Sequence, residues 1–494
     1  MGKIYEVGDG REYPSLGSVP QEALCAGDTI EIHWRAEPYR EKFLIAARGT
    51  REQPVTVRGI CGPQGQKPVI SGHGAAARPG YDTGVTNANK WVVKIGRSGS
   101  NKDNDYLSSY VIIENIEVTD CLPEYTFTDW RGETHHYDVF GAGIWVDRGE
   151  HITLKNCIVH NCSNGLFVNS RDNEAEGFFV CRDILVEGNE FYDNGIPGSI
   201  LEHNSYCAAI GITYQFNRYG PLKNGAYGYG LKDRSAGTVI RYNRIEGGRR
   251  EISLDDGEDN PMIPAHEDYN DAYVYGNLLI ENDDGPIRVW GDDEIVHFGG
   301  DNPDVPDRGG TLYFFNNTVV SYRQRRVYTE NSLDRGAYNN SPASQQWDTK
   351  GREERTSLFY FPHGQHVDAR NNIFYAAGPE PAPMVPVVDT GSAYFSHNWF
   401  SGTYTRFVPN ETVDEERGQG REIRLDDSNI IGGDPGFCDA SQRDFRLRED
   451  SVCRGMGCEA APECIRRCHK AAFRLGADKA VLTRMPGDRN IGAL

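Results

Sequence analysis

The sequence has no run of about 18 or more apolar residues, which excludes a membrane-spanning helix. Hydrophobic residues are scarce, 38% of 494, and that is little core for several thick-layered compact domains. Positive charge is short as well: 52 Lys+Arg stand against 72 Asp+Glu, a formal net charge of -20. A general DNA- or RNA-binding role needs a basic field over the phosphates, so nucleic acid is excluded as a partner. An anionic ligand held by a local basic site is not. Long helical periodicity is absent, and the best helical stretch is CIRRCHKAAFRLG near the end. The opening MGKIYEVGDGREYPSL lacks the basic, apolar and small-residue succession of a secretory signal. Paired CxxC knuckles are missing too, so the twelve cysteines carry no strong zinc signature. Cys157, Cys162 and Cys181 lie close together, and Cys453, Cys458, Cys464 and Cys468 crowd the C-terminus. Disulfides are the leading reading of these cysteines, with free thiols next and metal ligands last.

What is present argues against disorder: 26 Tyr, 20 Phe and 7 Trp, together with 56 Gly. Short β-rich runs recur, each with an Asn at a similar place: VIIENIEV, HITLKNCIV, DILVEGNEF, TVIRYNRI, YVYGNLLI, TLYFFNNTVV, VDARNNIF and AYFSHNWF. The aligned residues are Asn115, Asn156, Asn189, Asn243, Asn277, Asn317, Asn372 and Asn398. Second β-runs lie between them, such as GIWVD, GLFVNS and GLKDRS. Such repetition reads as a solenoid, in which short strands bury a face only by stacking coil on coil. An Asn at each corner can bond the Asn one coil away, and it tolerates the left-handed conformation that a corner demands.

The segment AGDTIEIHWRAEPYREKFLIAARGTREQPVTVRGICGPQGQKPVISGHGA resembles the capped first coils of right-handed parallel β-helix proteins of the pectin-lyase-like superfamily. HNSY, YQFNRYGPL, GLKDRSAGTVIRYNRIEGG and HFGGD resemble one bacterial, polysaccharide-degrading and lyase-like group within it. The resemblance runs from about Tyr5 to about Leu447. It implies an all-β fold, a right-handed parallel β-helix solenoid with an N-terminal cap and a Cys-rich C-terminal tail. Residues 1–95 are expected to form the cap and first coils, 96–436 the main coils, and 437–494 a capping tail.

The segment Lys232–Arg250 holds six basic residues and two acidic ones, in a chain that is acidic overall. Lys232 and Arg234 share one strand face. Coils stack about 4.8 Å apart, so Arg241, Arg249 and Arg250 can gather near them. A polyanion with regularly spaced charges suits such a patch; a solvated face of ion pairs is the alternative. Relatives that cleave uronic-acid polysaccharides do so by β-elimination. The resemblance implies a Lys or Arg base for the C5 proton, an Arg or Ca²⁺ on the carboxylate, and a donor to the leaving oxygen. A Lys starts near a pKa of about 10.4 and needs neighbouring cations or desolvation to act as a base. Lys232 is therefore assigned as base, Arg234 as acid or clamp, and Arg241 as clamp, with His203 or Tyr206 as donor. For His203, a turn histidine bonding a backbone carbonyl is an equal alternative. Tyr206, Arg249, Arg250, Arg288 and Trp290 complete the expected substrate contacts, Trp290 as a sugar platform.

Asp255 and Asp256, with Glu258 and Asp259, offer hard oxygens suited to Ca²⁺, although the EF-hand register is missing. An acidic loop partnering the arginines is the alternative. The aspartate pair also keeps a polygalacturonase-like hydrolase open, but the GHG at Gly72–His73–Gly74 is far upstream and no R-I-K occurs. A uronate C5-epimerase and a noncatalytic glycan-binding β-helix are the other readings. The expectation is a monomeric polysaccharide lyase acting on an anionic polysaccharide. Its substrate class and even cysteine count point to a secreted or periplasmic protein.

Overall fold

The computed structural model describes residues 2–459 other than 85–86, 174–176, 284–293, 323–325, 328–331, 335–344, 348–349, 352, 355, 362–363, 380–381, 385–390 and 406–421. Arg288, Trp290, Cys464, Cys468 and the helical stretch expected near the end lie outside them. The chain divides into two compact units. The first comprises Met1–Ile212, Phe216–Ser235 and Gly257–His266; the second comprises Thr213–Gln215, Ala236–Asp256 and Glu267–Leu494.

In the first unit three parallel sheets run side by side. One takes Ile4–Val7, Thr29–His33, Val55–Ile60, Ser108–Glu114, Gly149–Lys155 and Cys181–Glu187. A second takes Phe43–Ile45, Trp91–Ile95, Ala142–Asp147, Asn164–Asn169, Ser205–Cys207 and Leu231–Asp233. The third takes Val69–Ser71, Glu117–Cys121, Ile158–Cys162, Glu190–Tyr192 and Arg218–Tyr219. Successive strands of the chain visit the sheets in turn, which is the winding of a parallel β-helix, right-handed as parallel crossovers are. Alternation decides what faces inward. Tyr5, Ile30, Val57, Ile113, Leu154 and Val186 are register partners down one column, and all are buried. No single coil could bury this face; the stack does.

The second unit repeats the plan. Its sheets contain Ala236–Arg241, Ala272–Tyr275, Thr311–Phe315, Gln365–Arg370 and Gly391–Ser396; Ile252–Leu254, Glu294–Phe298 and Ser357–Tyr360; and Arg244–Glu246, Leu278–Glu281, Thr318–Ser321, Ile373–Ala376 and Trp399–Phe400. Ile240, Val274, Phe314, Ala369 and Phe395 form its inner column. An antiparallel pair, Phe437–Asp439 with Asp444–Leu447, packs Phe437, Phe445 and Leu447 on Leu278, Ile280, Val320, Ile373 and Trp399. The described part of the tail thus covers the outer face of a sheet.

The asparagine corners form ladders. Asn243, Asn277, Asn317, Asn372 and Asn398 each donate a side-chain N–H to the Oδ1 of the next, ending at Asn429, at 2.9–3.2 Å. In the first unit Asn189 bonds Asn217 in the same way. Asn115 and Asn156 occupy the preceding residue of the corner, with φ of 64° and 49°. The ladder position of those coils belongs to Ile116 and Cys157, and the Cys157 amide donates to Asn189 Oδ1. Cys25, Cys61, Cys121, Cys157, Cys162, Cys181, Cys438, Cys453 and Cys458 are thiols outside any disulfide. Disulfides therefore give way here to packing: Cys157 fills a corner slot as a small apolar group. Burial pushes its pKa up to about 11 and those of Cys121 and Cys181 up to about 12.

Candidate active site

Strand alternation in register sorts the outward face of the second sheet of the first unit into columns. Lys94, Trp145, Phe167, Tyr206 and Lys232 are successive partners in one of them. Ile144 and Val146 point the other way, into the coil, which turns Trp145 outward. Trp145 stacks on Phe167 at 4.4 Å, and Phe167 meets Tyr206 at 4.7 Å. Leu44 and Tyr81 join Trp145 and Phe167 in a buried cluster, so these rings are covered. Tyr206 and Lys232 are half-buried, and here the column opens.

The Lys232 ammonium lies 5.1 Å from the Tyr206 ring centre and 5.6 Å from that of Tyr229. Both are cation–π distances. Arg234, two residues along the same face, lies 6.0 Å from the Tyr206 ring and pairs with Glu258 at 3.1 Å. The neighbouring acidic residue, Asp259, accepts from Arg171 at 2.8 Å and from the Tyr206 hydroxyl at 3.4 Å. Asn260 ties this loop down by donating to the carbonyls of Arg171 and Phe179. Burial first, and then Asp259, raises the Tyr206 pKa, so its phenol keeps its proton. His203 is buried. Its Nδ1 accepts the Tyr229 amide at 2.9 Å, and its ring stacks on Tyr229 at 4.8 Å. His203 thus holds the Tyr229 backbone by accepting its amide, where the alternative reading had it bond a carbonyl.

Five of the described assigned residues, Arg241, Arg249, Arg250, Asp255 and Asp256, fall in the second unit. Arg241 is 1% exposed and ends the strand Ala236–Arg241, in a different sheet from the Lys232 strand. Its guanidinium donates to Gln215 Oε1 and to the Tyr275 hydroxyl. The corner after Ser235 carries the chain out of the Lys232 sheet, so Arg241 holds a corner where a carboxylate clamp was expected. Arg249 is buried. Arg250 is also buried, 2.5 Å from Glu294, and donates to Ser253 Oγ. Ser253 in turn donates to Asp255 Oδ1 at 2.5 Å. Asp256 Oδ2 accepts the amides of Gly300 and Asp301, and the Asp256 amide donates to Asp301.

The four-carboxylate group expected over 255–259 is therefore divided. Glu258 and Asp259 take Arg234 and Arg171, Asp256 clamps a turn, and Asp255 takes Ser253. This set does not fit an all-oxygen Ca²⁺ cage, which needs six to eight converging oxygens. Sequence reasoning missed Arg171, which sits on the ribbon Arg171–Asn173/Gly177–Phe179. Nothing local to Arg171 signals its meeting with Asp259, 88 residues away.

No known family profile matches the chain, and no curated protein matches it in sequence. Among solved structures it is similar to pectate lyase Pel9A (11% identity, 94% of this chain and 93% of that one, TM-score 0.45). It is also similar to a GH136 lacto-N-biosidase from Eubacterium ramulus (14% identity, 87% and 68%, TM-score 0.42). An alginate lyase from Paenibacillus sp. str. FPU-7 matches at 11% identity over 87% and 99%, with a TM-score of 0.37. The coils themselves establish the fold, a right-handed parallel β-helix.

Proposed function

We propose that the protein is a polysaccharide lyase that cleaves a uronate-containing chain by β-elimination at Lys232. The observation that carries this reading is the half-buried Lys232 ammonium on the Tyr206 and Tyr229 rings, beside an arginine that already takes a carboxylate. An apolar ring face next to paired cations is a seat for a sugar ring bearing a carboxylate. In the reaction Arg234 pairs the uronate carboxylate and so stabilises the charge that develops as the C5–H bond breaks. Lys232, after giving up its own proton, takes that proton, the C4–C5 double bond forms, and the C4–O electron pair leaves with the oxygen. The Tyr206 phenol, kept protonated by its burial, gives the leaving oxygen its proton. A secreted or periplasmic location accords with such a substrate.

The test is incubation with a panel of uronate polysaccharides while following the ultraviolet absorbance of the unsaturated product. Lys232→Ala is expected to lower the rate by about 10²–10⁴-fold. New reducing ends without that absorbance would replace elimination by hydrolysis. A changed C5 configuration without cleavage would make the protein an epimerase, and binding without product a noncatalytic glycan binder.

A further inference from the structure

On the second unit, Asp255, His297 and Asp301 each bring one donor atom within 4.8 Å of the other two. His297 lies on the strand Glu294–Phe298, in register with Ser253. Its side chain is 2% exposed, and Nδ1 faces Glu294 Oε1 at 3.3 Å. Nε2 is buried and has no hydrogen-bond partner among the described residues. A buried imidazole nitrogen without a partner costs free energy unless something fills that place. Its ring is fixed from two sides, by the Glu294 carboxylate and by stacking on Tyr360 at 5.2 Å. Glu294 is itself anchored by Arg250.

A carboxylate on one imidazole nitrogen, with the other nitrogen left without a partner, is the arrangement in which a histidine ligates a metal. We infer that Asp255, His297 and Asp301 bind a divalent transition ion of the Zn²⁺ type. Ca²⁺ takes oxygen ligands alone, whereas imidazole nitrogen suits zinc. Three protein ligands leave an open position for water or a ligand oxygen, as in catalytic zinc sites. Donors about 3.4 Å apart satisfy tetrahedral bonds of about 2.1 Å, so only a small closure of the three side chains is needed.

The carboxylates of Asp255, Asp256, Asp301 and Glu294 outnumber Arg249, Arg250 and Arg308 by one, and Arg308 also donates to the carbonyls of Asp255 and Tyr269. Two other clusters are less suited: His33 Nε2 also lacks a hydrogen bond, but it faces Glu6 at 3.3 Å and its side chain is 18% exposed. Asp129 already accepts from Arg131, Glu133 and His135, and Glu6 pairs with Arg11 and His33. The inference does not depend on the elimination reading.

The full chain, stripped with chelator and dialysed, is titrated calorimetrically with Zn²⁺, Mn²⁺ and Ca²⁺, and Co²⁺ serves as an absorbance probe. One equivalent of Zn²⁺ should bind more tightly than Ca²⁺, and Co²⁺ should give ligand-field bands that include a nitrogen donor. His297→Ala and Asp301→Asn should each weaken Zn²⁺ by at least about tenfold and abolish those bands. Asp301 is exposed, so its variant keeps the test valid if His297→Ala fails to fold. Unchanged Zn²⁺ affinity in Asp301→Asn, preferential Ca²⁺ binding, or no bound metal in the parent would each overturn the inference.

Discussion

Arg234 holds a carboxylate before any substrate arrives. Its side chain is 6% exposed while that of its partner Glu258 is 36% exposed, so the pair joins a fixed cation to an accessible anion. A uronate must displace Glu258 to reach the guanidinium. Glu258→Gln is therefore expected to lower KM, by about two- to fivefold for a partly exposed pair worth up to about 1 kcal/mol. Arg234→Ala should move KM the other way. Steady-state kinetics on the best polysaccharide of the panel measures both.

Glu202, one residue before His203, is a different case. It is fully buried, and burial, only partly opposed by Ser199, pushes its pKa up from 4.5 to about 7. Between those values the folded state keeps a proton that the unfolded chain has lost, so stability falls as pH rises through the window. The loss is on the order of 3 kcal/mol and complete above pH about 7. Denaturant titrations from pH 4 to 8 should show this decline in the parent and not in Glu202→Gln, whose amide does not titrate.

At the scale of the element, each ladder asparagine does three jobs. Asn317 Nδ2 donates to the Val274 carbonyl and to Asn372, and its Oδ1 accepts both the amide and the side chain of Asn277. Asn317→Ala leaves several of these buried groups without partners. A loss of about 3–5 kcal/mol is expected, read from the shift in denaturant midpoint. This regularity is why the fold was legible: one residue type at one corner, repeated, with β-runs between. The alignment joined two neighbouring corner positions because both favour asparagine: Asn115 and Asn156 take a left-handed φ and bond each other at 2.9 Å, while the position one residue on carries the longer ladder. The candidate site was less legible. Lys232, Arg234 and Tyr206 could be placed together, since strand parity and coil stacking decide their columns. Arg241 could not, since a corner within a few residues sends the chain into another sheet. The pairings of Glu258 and Asp259 with Arg234 and Arg171 are made by a loop and a ribbon, which no period describes.

At the scale of the whole molecule, the net charge of -20 and the cations at Tyr206 act over different distances on a polyanion. The overall field repels such a chain out to the Debye length, about 30 Å at 0.01 M salt and about 10 Å at 0.1 M. The contacts with Lys232 and Arg234 act within a few ångströms and are partly buried, so salt weakens them less. Added salt should therefore help first and hurt later. KM for an anionic polysaccharide is expected to fall between about 0.01 M and 0.1 M NaCl as the long-range repulsion is screened, and to rise again toward about 1 M, where the Debye length is about 3 Å. A site whose affinity came from a broad basic surface would instead weaken steadily over the whole range. Initial rates across a salt series distinguish the two. A steady rise of KM from the lowest salt would mean that the acidic surface does not face the approaching chain. Lys232→Ala binding measured over the same series should keep the initial gain and lose only the local term, since the long-range field of the molecule is almost unchanged by one charge.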